Sequence, residues 1–180
     1  MTRPRLVLAS ASPRRSELLS RLGLEHTVDP AHVDETALPE EAPRPHVVRL
    51  SEAKAREVAR RHPDALVFAG DTVVVDRRRL LGKPSSEDEA VAMLMALSGR
   101  THAVVSGLAV VLPETAGGRV VSRADRTDVT FQPFDESGGR GAVGPGAPQD
   151  KAGAVRLQGG GGAGVWGRAR AHNTQVGGGN

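Results

Sequence analysis

The sequence predicts a mixed α/β fold in which helices pack on a mixed sheet. Helical and strand-like patterns alternate loosely along the first 136 residues, which is typical of sheets covered by helices. The chain has 180 residues, enough for one domain with a hydrophobic core. It lacks cysteine, which excludes disulfides and thiolate metal sites, and it has no apolar run of the roughly 20 residues that a membrane span needs. We therefore expect one soluble, cytoplasmic domain over residues 1–180 with no membrane partner.

The N-terminal third predicts one strand followed by two helices. Residues 6–9 are apolar and short enough for a buried strand. Ser12 and Pro13 predict the start of a helix over 13–22, because proline is favoured at the first helical position. A second helix is predicted over about 46–62, where apolar residues recur at helical spacing.

Strand-like segments dominate the next part of the chain. The predicted elements are strands at 66–70 and 72–75, a helix at 86–97, and two long strands at 102–112 and 119–134. Asp71 therefore falls between two predicted apolar strands, directly after the first and directly before the second.

The C-terminal segment, residues 137–180, has a different composition. It holds 15 of the 22 glycines, and five basic side chains against one acid give it a charge of +4. The other residues carry −1, so the net charge of +3 does not form a broad basic face for a duplex. Nucleic acid is therefore not an expected partner.

Ser10, Arg14 and Arg15 lie between the first predicted strand and the first predicted helix. Free N–H groups at a helix N-terminus and two arginines together favour an anion, since arginine can pair with two phosphate oxygens at once. The alternative is a solvated first turn whose arginines face water, and the local sequence leaves both interpretations open.

Carboxylates lie in a loop at Asp34 and Glu35 and between two strands at Asp71. Mg²⁺ binds one or two carboxylates together with substrate phosphate oxygens, so these residues are candidate metal ligands. Asp71 follows a buried-looking strand, and a partly desolvated carboxylate suits a general base. Alternatively, Asp71 caps a turn between the two strands.

Two lysines occupy unusual positions. Lys54 lies on the apolar face of the second predicted helix, and Lys83 follows Gly82 in a predicted tight turn. Lysines in such places either extend to water or meet an anion. Lys151 is most simply a surface-turn residue, and the six histidines show no metal-ligand spacing.

These residues belong to motifs that follow one another in a fixed order. The motifs are Leu8-Ala-Ser-Ala-Ser-Pro-Arg-Arg, Asp34-Glu35, Leu50-Ser-Glu-Ala-Lys54, Ala69-Gly-Asp71-Thr, Gly82-Lys83-Pro84, Leu97-Ser-Gly-Arg-Thr-His102, Asp128-Val-Thr-Phe131, Asp150-Lys-Ala-Gly153 and Gln158-Gly159. As a set they closely resemble the Maf family of nucleoside triphosphate pyrophosphatases. The resemblance covers residues 5–136 almost continuously and residues 148–159 as an island.

The resemblance implies an elongated mixed sheet with packed helices and a cleft between two lobes, as in inosine triphosphatases. It implies hydrolysis of a nucleoside triphosphate between its α and β phosphates, with a divalent cation, Mg²⁺ or Mn²⁺. By resemblance, Asp71 is the catalytic proton acceptor and, with Glu35, a metal ligand. The implied substrate-binding residues are Ser10, Arg14, Arg15, Lys54, Thr72, Lys83, Lys151 and Gln158.

The resemblance also bears on the substrate. Arg14, Thr72 and Gln158 match the family branch that hydrolyses dTTP and UTP, whereas the branch acting on 7-methyl-GTP has Ser-Asp-Gln where this chain has Gly70-Asp71-Thr72. We therefore expect dTTP and UTP as substrates. A 7-methyl-GTP or other non-canonical nucleotide pyrophosphatase, and a catalytically impaired nucleotide-binding protein, stay open as alternatives. A homo-oligomer is compatible with the sequence.

The C-terminal segment departs from the family pattern. Residues 137–144 stand where the family has a tyrosine-containing helix, and Val155 stands where it has an aromatic residue. Few large apolar side chains follow Gln158, so burial there offsets little of the entropy lost on ordering. We expect residues 137–180 to be poorly ordered apart from residues 148–159.

Overall fold

A computed structural model describes residues 4–143 and the backbone of residues 167–172. Four α-helices, one 3₁₀ helix and seven strands form in these residues. In chain order they are β1 Leu6–Leu8, α1 Pro13–Arg21, β2 Thr27–Val28, α2 Pro43–Ala59, β3 Leu66–Asp76, β4 Arg79–Leu81, α3 Glu87–Leu97, β5 Thr101–Val111, the 3₁₀ helix Glu114–Ala116, β6 Val120–Phe131, α4 Glu136–Val143 and β7 Gly167–His172.

The strands form one sheet in the order β2-β1-β3-β5-β6-β7, and β4 pairs with β3 outside this path. β1 runs parallel to both β2 and β3. β4 runs antiparallel to β3, and β7 runs antiparallel to β6. The predicted mixed sheet with helices is therefore confirmed, whereas the cleft between two lobes stays a prediction. Among the described residues, no helix has both the length and the apolarity needed to cross a bilayer.

Contacts divide the chain into two compact units. Unit 1 consists of residues 1–71 and 106–124, and unit 2 consists of residues 72–105 and 125–180. In unit 1, α2 packs on the sheet through a core made largely of small side chains, which allow a close approach. Its buried members are Val7, Ala9, Ala55, Val58, Ala65, Val67, Ala69, Ala109 and Val111. The expectation of a single domain over the whole chain stays a prediction.

Unit 2 has its own core beneath α3 and α4. The buried members are Val74, Ala90, Val91, Leu94, Leu97, Val129, Phe131 and Val143. His102 lies edge-on against Phe131, with ring centroids 4.6 Å apart. Burial lowers the pKa of His102, which favours the neutral ring inside this core.

Most predicted elements are confirmed with small shifts at their ends. The first helix ends one residue early, at Arg21, and the two long strands cover residues 101–111 and 120–131. α2 begins at Pro43, three residues before the predicted start. Proline is tolerated there because the first helical N–H groups have no partner within the helix.

The prediction that two strands meet at Asp71 is wrong. β3 runs without a break from Leu66 to Asp76, and Asp71 is a buried residue in its middle. A charged residue can stay inside a strand when it has a partner of opposite charge. The polar residue therefore marks a buried ion pair rather than a turn.

Two parts of residues 137–180 lie in regular elements, and the expectation that this segment is poorly ordered stays a prediction. Residues up to 143 form α4, which buries Gly139 and Val143, and residues 167–172 form β7 on the edge of the sheet. An edge strand gains main-chain hydrogen bonds that need no large side chain, and composition does not register this contribution. Residues 144–166, which include the predicted island at 148–159, and residues 173–180 lie outside the described residues.

Gly107 in β5 allows α2 to approach the sheet closely. A Cβ atom at this position would lie 2.4 Å from the Val47 carbonyl oxygen and 2.7 Å from Ser51 Oγ. Both atoms belong to α2, and one of them is backbone, so the helix itself would have to move. The close approach therefore requires glycine.

We expect Gly107→Ala to lower the free energy of unfolding by about 1–3 kcal/mol, the usual cost of overpacking. Gly141→Ala is the matched control. Gly141 lies in helix α4, and a Cβ atom at this position would meet nothing within 4 Å. Replacing a helical glycine by alanine is expected to stabilise by up to about 1 kcal/mol. Urea unfolding of both variants provides the measurement, and equal effects would contradict the packing argument.

The strand β7 gives a second expectation, tested by amide hydrogen exchange. Its register with β6 runs from Arg126 opposite His172 to Phe131 opposite Gly167. Amides that bond across this pair should exchange more slowly than the same residues in a free peptide of residues 163–176. Equal exchange rates in the protein and the peptide would show that the pairing is absent in solution.

Candidate active site

A buried lysine in unit 1 contacts two carboxylates. Lys54 Nζ lies 2.7 Å from Asp71 Oδ1 and 2.8 Å from Glu35 Oε1. Lys54 and Asp71 are each only 8% exposed, whereas the Glu35 side chain is 38% exposed. A buried ammonium is stable only with partners of opposite charge, so these three side chains form one electrostatic unit.

Three different elements bring these side chains together. Lys54 lies on the face of α2 that also buries Ala55 and Val58 against the sheet. Asp71 is the sixth residue of β3, and Glu35 lies in the segment between β2 and α2. The apolar contacts of α2 therefore direct the lysine at the strand, and the intervening segment supplies the second carboxylate.

Ser10 and Arg15 form a second polar element at the start of α1. The buried Ser10 Oγ accepts hydrogen bonds from the Ser12 amide at 3.2 Å and from Arg15 Nη1 at 2.9 Å. In α1, which lies wholly within the described residues, the first turn has no acidic residue and Ser12 makes no side-chain cap bond. Its N–H groups and its arginines therefore favour an anion.

Gly70 links the two elements along β3. A Cβ at Gly70 would lie 3.3 Å from Arg15 Nε and 3.0 Å from the carbonyl oxygen of Gly107. The absence of a side chain thus leaves room for the guanidinium directly beside the residue that precedes Asp71. Cations from α1 and α2 consequently reach two consecutive positions of β3.

The remaining candidates are placed less closely. Arg14 is exposed on α1. Thr72 and Lys83 belong to unit 2, where Thr72 is half-buried in β3 and Lys83 is exposed after β4. Lys151 and Gln158 lie outside the described residues. That all of these residues bind one substrate stays a prediction.

The carboxylates can be compared with the needs of a divalent cation. Among residues 4–143, no group of three or more histidine, aspartate or glutamate side chains converges as a metal cage. Glu35 and Asp71 nevertheless direct hard carboxylate oxygens at the same ammonium. Mg²⁺ commonly takes only one or two protein carboxylates and completes its shell with phosphate oxygens and water. The donor set therefore fits a cation that arrives with a phosphorylated substrate.

Comparison with known proteins places this chain in a family. The model of the family described as Maf-like protein matches residues 5–177. The chain belongs to the Maf family. It is 48% identical over 157 residues to a dTTP/UTP pyrophosphatase of Paramagnetospirillum magneticum, which covers 86% of this chain and 80% of the relative. It is 49% identical over 155 residues to a protein of the same name from Moorella thermoacetica, over 86% and 79% of the two chains.

Among solved structures, a HAM1 protein from Coxiella burnetii superimposes on this Maf chain with a TM-score of 0.48. The two share 15% identity, and the match covers 72% of this chain and 73% of the other.

The sequence did not indicate three polar residues near this Maf site. Glu41 lies before α2, and its buried carboxylate accepts hydrogen bonds from His46 and Arg49 in the first turns of that helix. The only signal in the sequence is a pair of basic residues at i and i+3 on a helix preceded by acids. Nearby, hydrogen bonds from the side chain and amide of Thr36 lower the pKa of Asp34, which keeps that carboxylate ionised.

A double-variant cycle tests the buried pair of this Maf chain. Lys54→Met should lower the free energy of unfolding by about 3–5 kcal/mol, because Asp71 then stays buried without its cation. Adding Asp71→Asn should recover part of that loss, since the uncompensated charge is removed. Lys83→Met, at an exposed position where solvent screens ion pairs, should change stability by about 1 kcal/mol or less. Additive losses in the double variant would show that the two side chains do not pair in solution.

Proposed function

We propose that this chain is a nucleoside triphosphate pyrophosphatase that hydrolyses dTTP and UTP to the monophosphate and pyrophosphate. The observation that carries the proposal is the buried Lys54 held between Asp71 and Glu35, with the Arg15 guanidinium next to Gly70, the residue before Asp71. Relatives 45–49% identical to it are named dTTP/UTP pyrophosphatases. A charged cluster of this kind has no value for apolar packing, but it suits a polyphosphate and an attacking water.

In the proposed reaction, water attacks the α phosphorus while Asp71 accepts its proton. The bond between the α phosphorus and the bridging oxygen breaks, and pyrophosphate leaves with the electron pair. Asp71 is suited to this role because its burial restricts access of bulk water, and Lys54 holds one of its two oxygens in place. A divalent cation, Mg²⁺ or Mn²⁺, held by Glu35 and Asp71 would supply charge stabilisation for the phosphate oxygens when bound.

The substrate contacts divide between positions with different chemistry. Arg15 and Ser10 offer a guanidinium and a hydroxyl at the N-terminus of α1, which suits non-bridging phosphate oxygens. Arg14, Lys83 and Lys151 are proposed as further phosphate contacts. Thr72 and Gln158 are proposed to favour a pyrimidine nucleotide, on the residue match with the dTTP/UTP branch. We further propose that the enzyme acts in the cytoplasm on free nucleotides.

Two other functions stay open: a pyrophosphatase for 7-methyl-GTP or another non-canonical nucleotide, and a catalytically impaired nucleotide-binding protein. One assay separates all three functions. Pyrophosphate release is measured from dTTP, UTP, 7-methyl-GTP and the remaining common triphosphates with Mg²⁺ or Mn²⁺. Preference for dTTP and UTP supports the proposal, and preference for 7-methyl-GTP supports the second branch. Nucleotide binding without any release indicates an impaired binding protein.

Isotope labelling identifies the bond that is cleaved. In water enriched in oxygen-18, attack at the α phosphorus puts the label into the monophosphate. Attack at the β phosphorus puts the label into pyrophosphate instead. Label in pyrophosphate, or release of orthophosphate as the first product, would overturn the proposed reaction.

Asp71→Asn should lower turnover by about 10²–10⁴-fold, the usual contribution of a general base. Because the change is nearly isosteric, triphosphate binding measured by calorimetry should persist. Asp64→Asn, which alters an exposed carboxylate just before β3, is the control and should keep full activity. Turnover of Asp71→Asn within about threefold of the parent protein would remove Asp71 from the role of base.

A further inference from the structure

A polar cluster built on a buried carboxylate ties the segment that carries Glu35 to helix α2. It consists of Glu41, His46 and Arg49 and is called the Glu41 cluster. The Glu41 carboxylate accepts hydrogen bonds from Arg49 Nε at 2.6 Å, Arg49 Nη2 at 2.8 Å and His46 Nδ1 at 2.7 Å. The side chains of Glu41 and His46 are only 7% and 6% exposed. Fork-shaped pairing of this kind is both strong and directional.

Arg49 also reaches the main chain next to Glu35. Its Nη2 donates to the carbonyl oxygen of Thr36 at 3.1 Å, and Thr36 follows Glu35 directly. The amide of Leu38 donates to Glu41 Oε2 at 3.1 Å. The Glu41 cluster therefore fixes residues 36–41 at several points against the helix that carries Lys54.

The charges of Glu41 and Arg49 are stable near neutral pH. The Arg49 guanidinium holds the pKa of Glu41 far below its ordinary value, with a smaller effect from His46 and in spite of burial. Glu41 in turn raises the pKa of Arg49, and the carboxylates of Asp34 and Asp71 raise it further through longer-range attraction. Arg49 thus lies within the electrostatic field of the site carboxylates.

The contact between Glu35 and Lys54 needs such support. The Glu35 side chain is 38% exposed, and ion pairs open to solvent hold a loop only weakly. Glu35 also lies outside any helix or strand, so no ladder of hydrogen bonds fixes its backbone. An anchor on the adjacent main chain therefore helps to define where its carboxylate points.

We propose that the Glu41 cluster is a positioning device, in which Arg49 holds the main chain at Thr36 so that Glu35 stays directed at Lys54. This inference rests on the proposed function, because it assigns Glu35 a place in the reaction. Glu41, His46 and Arg49 act through Glu35 and do not themselves touch the substrate.

The variants for the test are Glu41→Gln, Arg49→Met, Arg49→Lys and the double variant Glu41→Gln/Arg49→Met. Loss of a side chain that orients a metal ligand without touching the metal typically costs about 10–100-fold in activity or metal affinity. We expect kcat to fall by about that factor in Glu41→Gln and in Arg49→Met, each of which removes one charge. The KM for the nucleotide should stay within about threefold of the parent value. The kcat of the double variant should be no lower than that of the less active single variant, because both substitutions break the same contact between Glu41 and Arg49. Arg49→Lys should restore activity only in part, since an ammonium cannot hold Glu41 and Thr36 together.

A second readout does not depend on activity. Hydrogen exchange of the protein without nucleotide should rise at residues 34–38 in Glu41→Gln and Arg49→Met, while α2 keeps its protection. In a separate activity measurement, the concentration of Mn²⁺ needed for half-maximal turnover should rise by about tenfold.

Asp29→Asn is the matched control. Asp29 Oδ1 and Oδ2 pair with Arg61 at 3.1 Å, and Oδ2 pairs with His62 at 2.7 Å, so a carboxylate, an arginine and a histidine meet there as well. That group is more exposed and lies at the start of the segment, six residues before Glu35. We expect Asp29→Asn to lower the melting temperature without changing kcat, the Mn²⁺ requirement or exchange at residues 34–38.

Distinct outcomes overturn the two proposals separately. Unchanged exchange at residues 34–38 in Glu41→Gln and Arg49→Met overturns the positioning role, as does raised exchange with kcat and the Mn²⁺ requirement unaltered. Equal effects of Glu41→Gln and Asp29→Asn on all readouts reduce the Glu41 cluster to a stabilising contact and overturn it as well. A parent protein that releases no pyrophosphate from any triphosphate overturns the proposed function, and with it the catalytic part of this inference.

Discussion

The burial of the Lys54 ammonium is the constraint on which the arrangement of unit 1 depends. Removing a charge from water is costly unless carboxylates replace the lost hydration, and here Asp71 and Glu35 do so at 2.7 and 2.8 Å. Satisfying the lysine requires α2, β3 and the segment before α2 to meet at one point. The same requirement explains why β3 can carry a charged residue in its middle without breaking.

Close backbone approach is the second condition for that meeting. Gly107 lets α2 lie against β5, and Gly70 leaves space for the Arg15 guanidinium beside β3. In both places a methyl group would fall at or below the shortest distances that side-chain carbons normally adopt. The two glycines thus set how near the cations of α1 and α2 can come to the sheet. The spacing of these cations in turn determines which anion fits.

The amino-acid sequence predicts the parts of this arrangement that produce a local signal. Lys54 interrupts an apolar helical stripe and Asp71 interrupts an apolar run, so both are recognisable from the sequence alone. The partners of Arg49 are not, because Thr36 and Glu41 lie 13 and 8 residues away and the pairing depends on how the loop folds back. β7 escapes prediction for a related reason. Its pairing uses main-chain groups that every residue possesses, so composition carries no trace of it.

Two groups, each made of a carboxylate, an arginine and a histidine, bound the segment between β2 and α2. Asp29 with Arg61 and His62 holds its start, and the Glu41 cluster holds its end. They differ in the exposure of the carboxylate, since the Asp29 side chain is 32% exposed and the Glu41 side chain only 7%, whereas the arginines Arg61 and Arg49 are similarly exposed at 40% and 34%. Solvent screens the Asp29 carboxylate more, so it restrains the chain more weakly than the buried Glu41 carboxylate does. Glu35 lies six residues from both Asp29 and Glu41, but the residue after it, Thr36, is bonded to Arg49 of the second group. Its carboxylate can therefore be held in place through the residue that follows it, although its own side chain is 38% exposed.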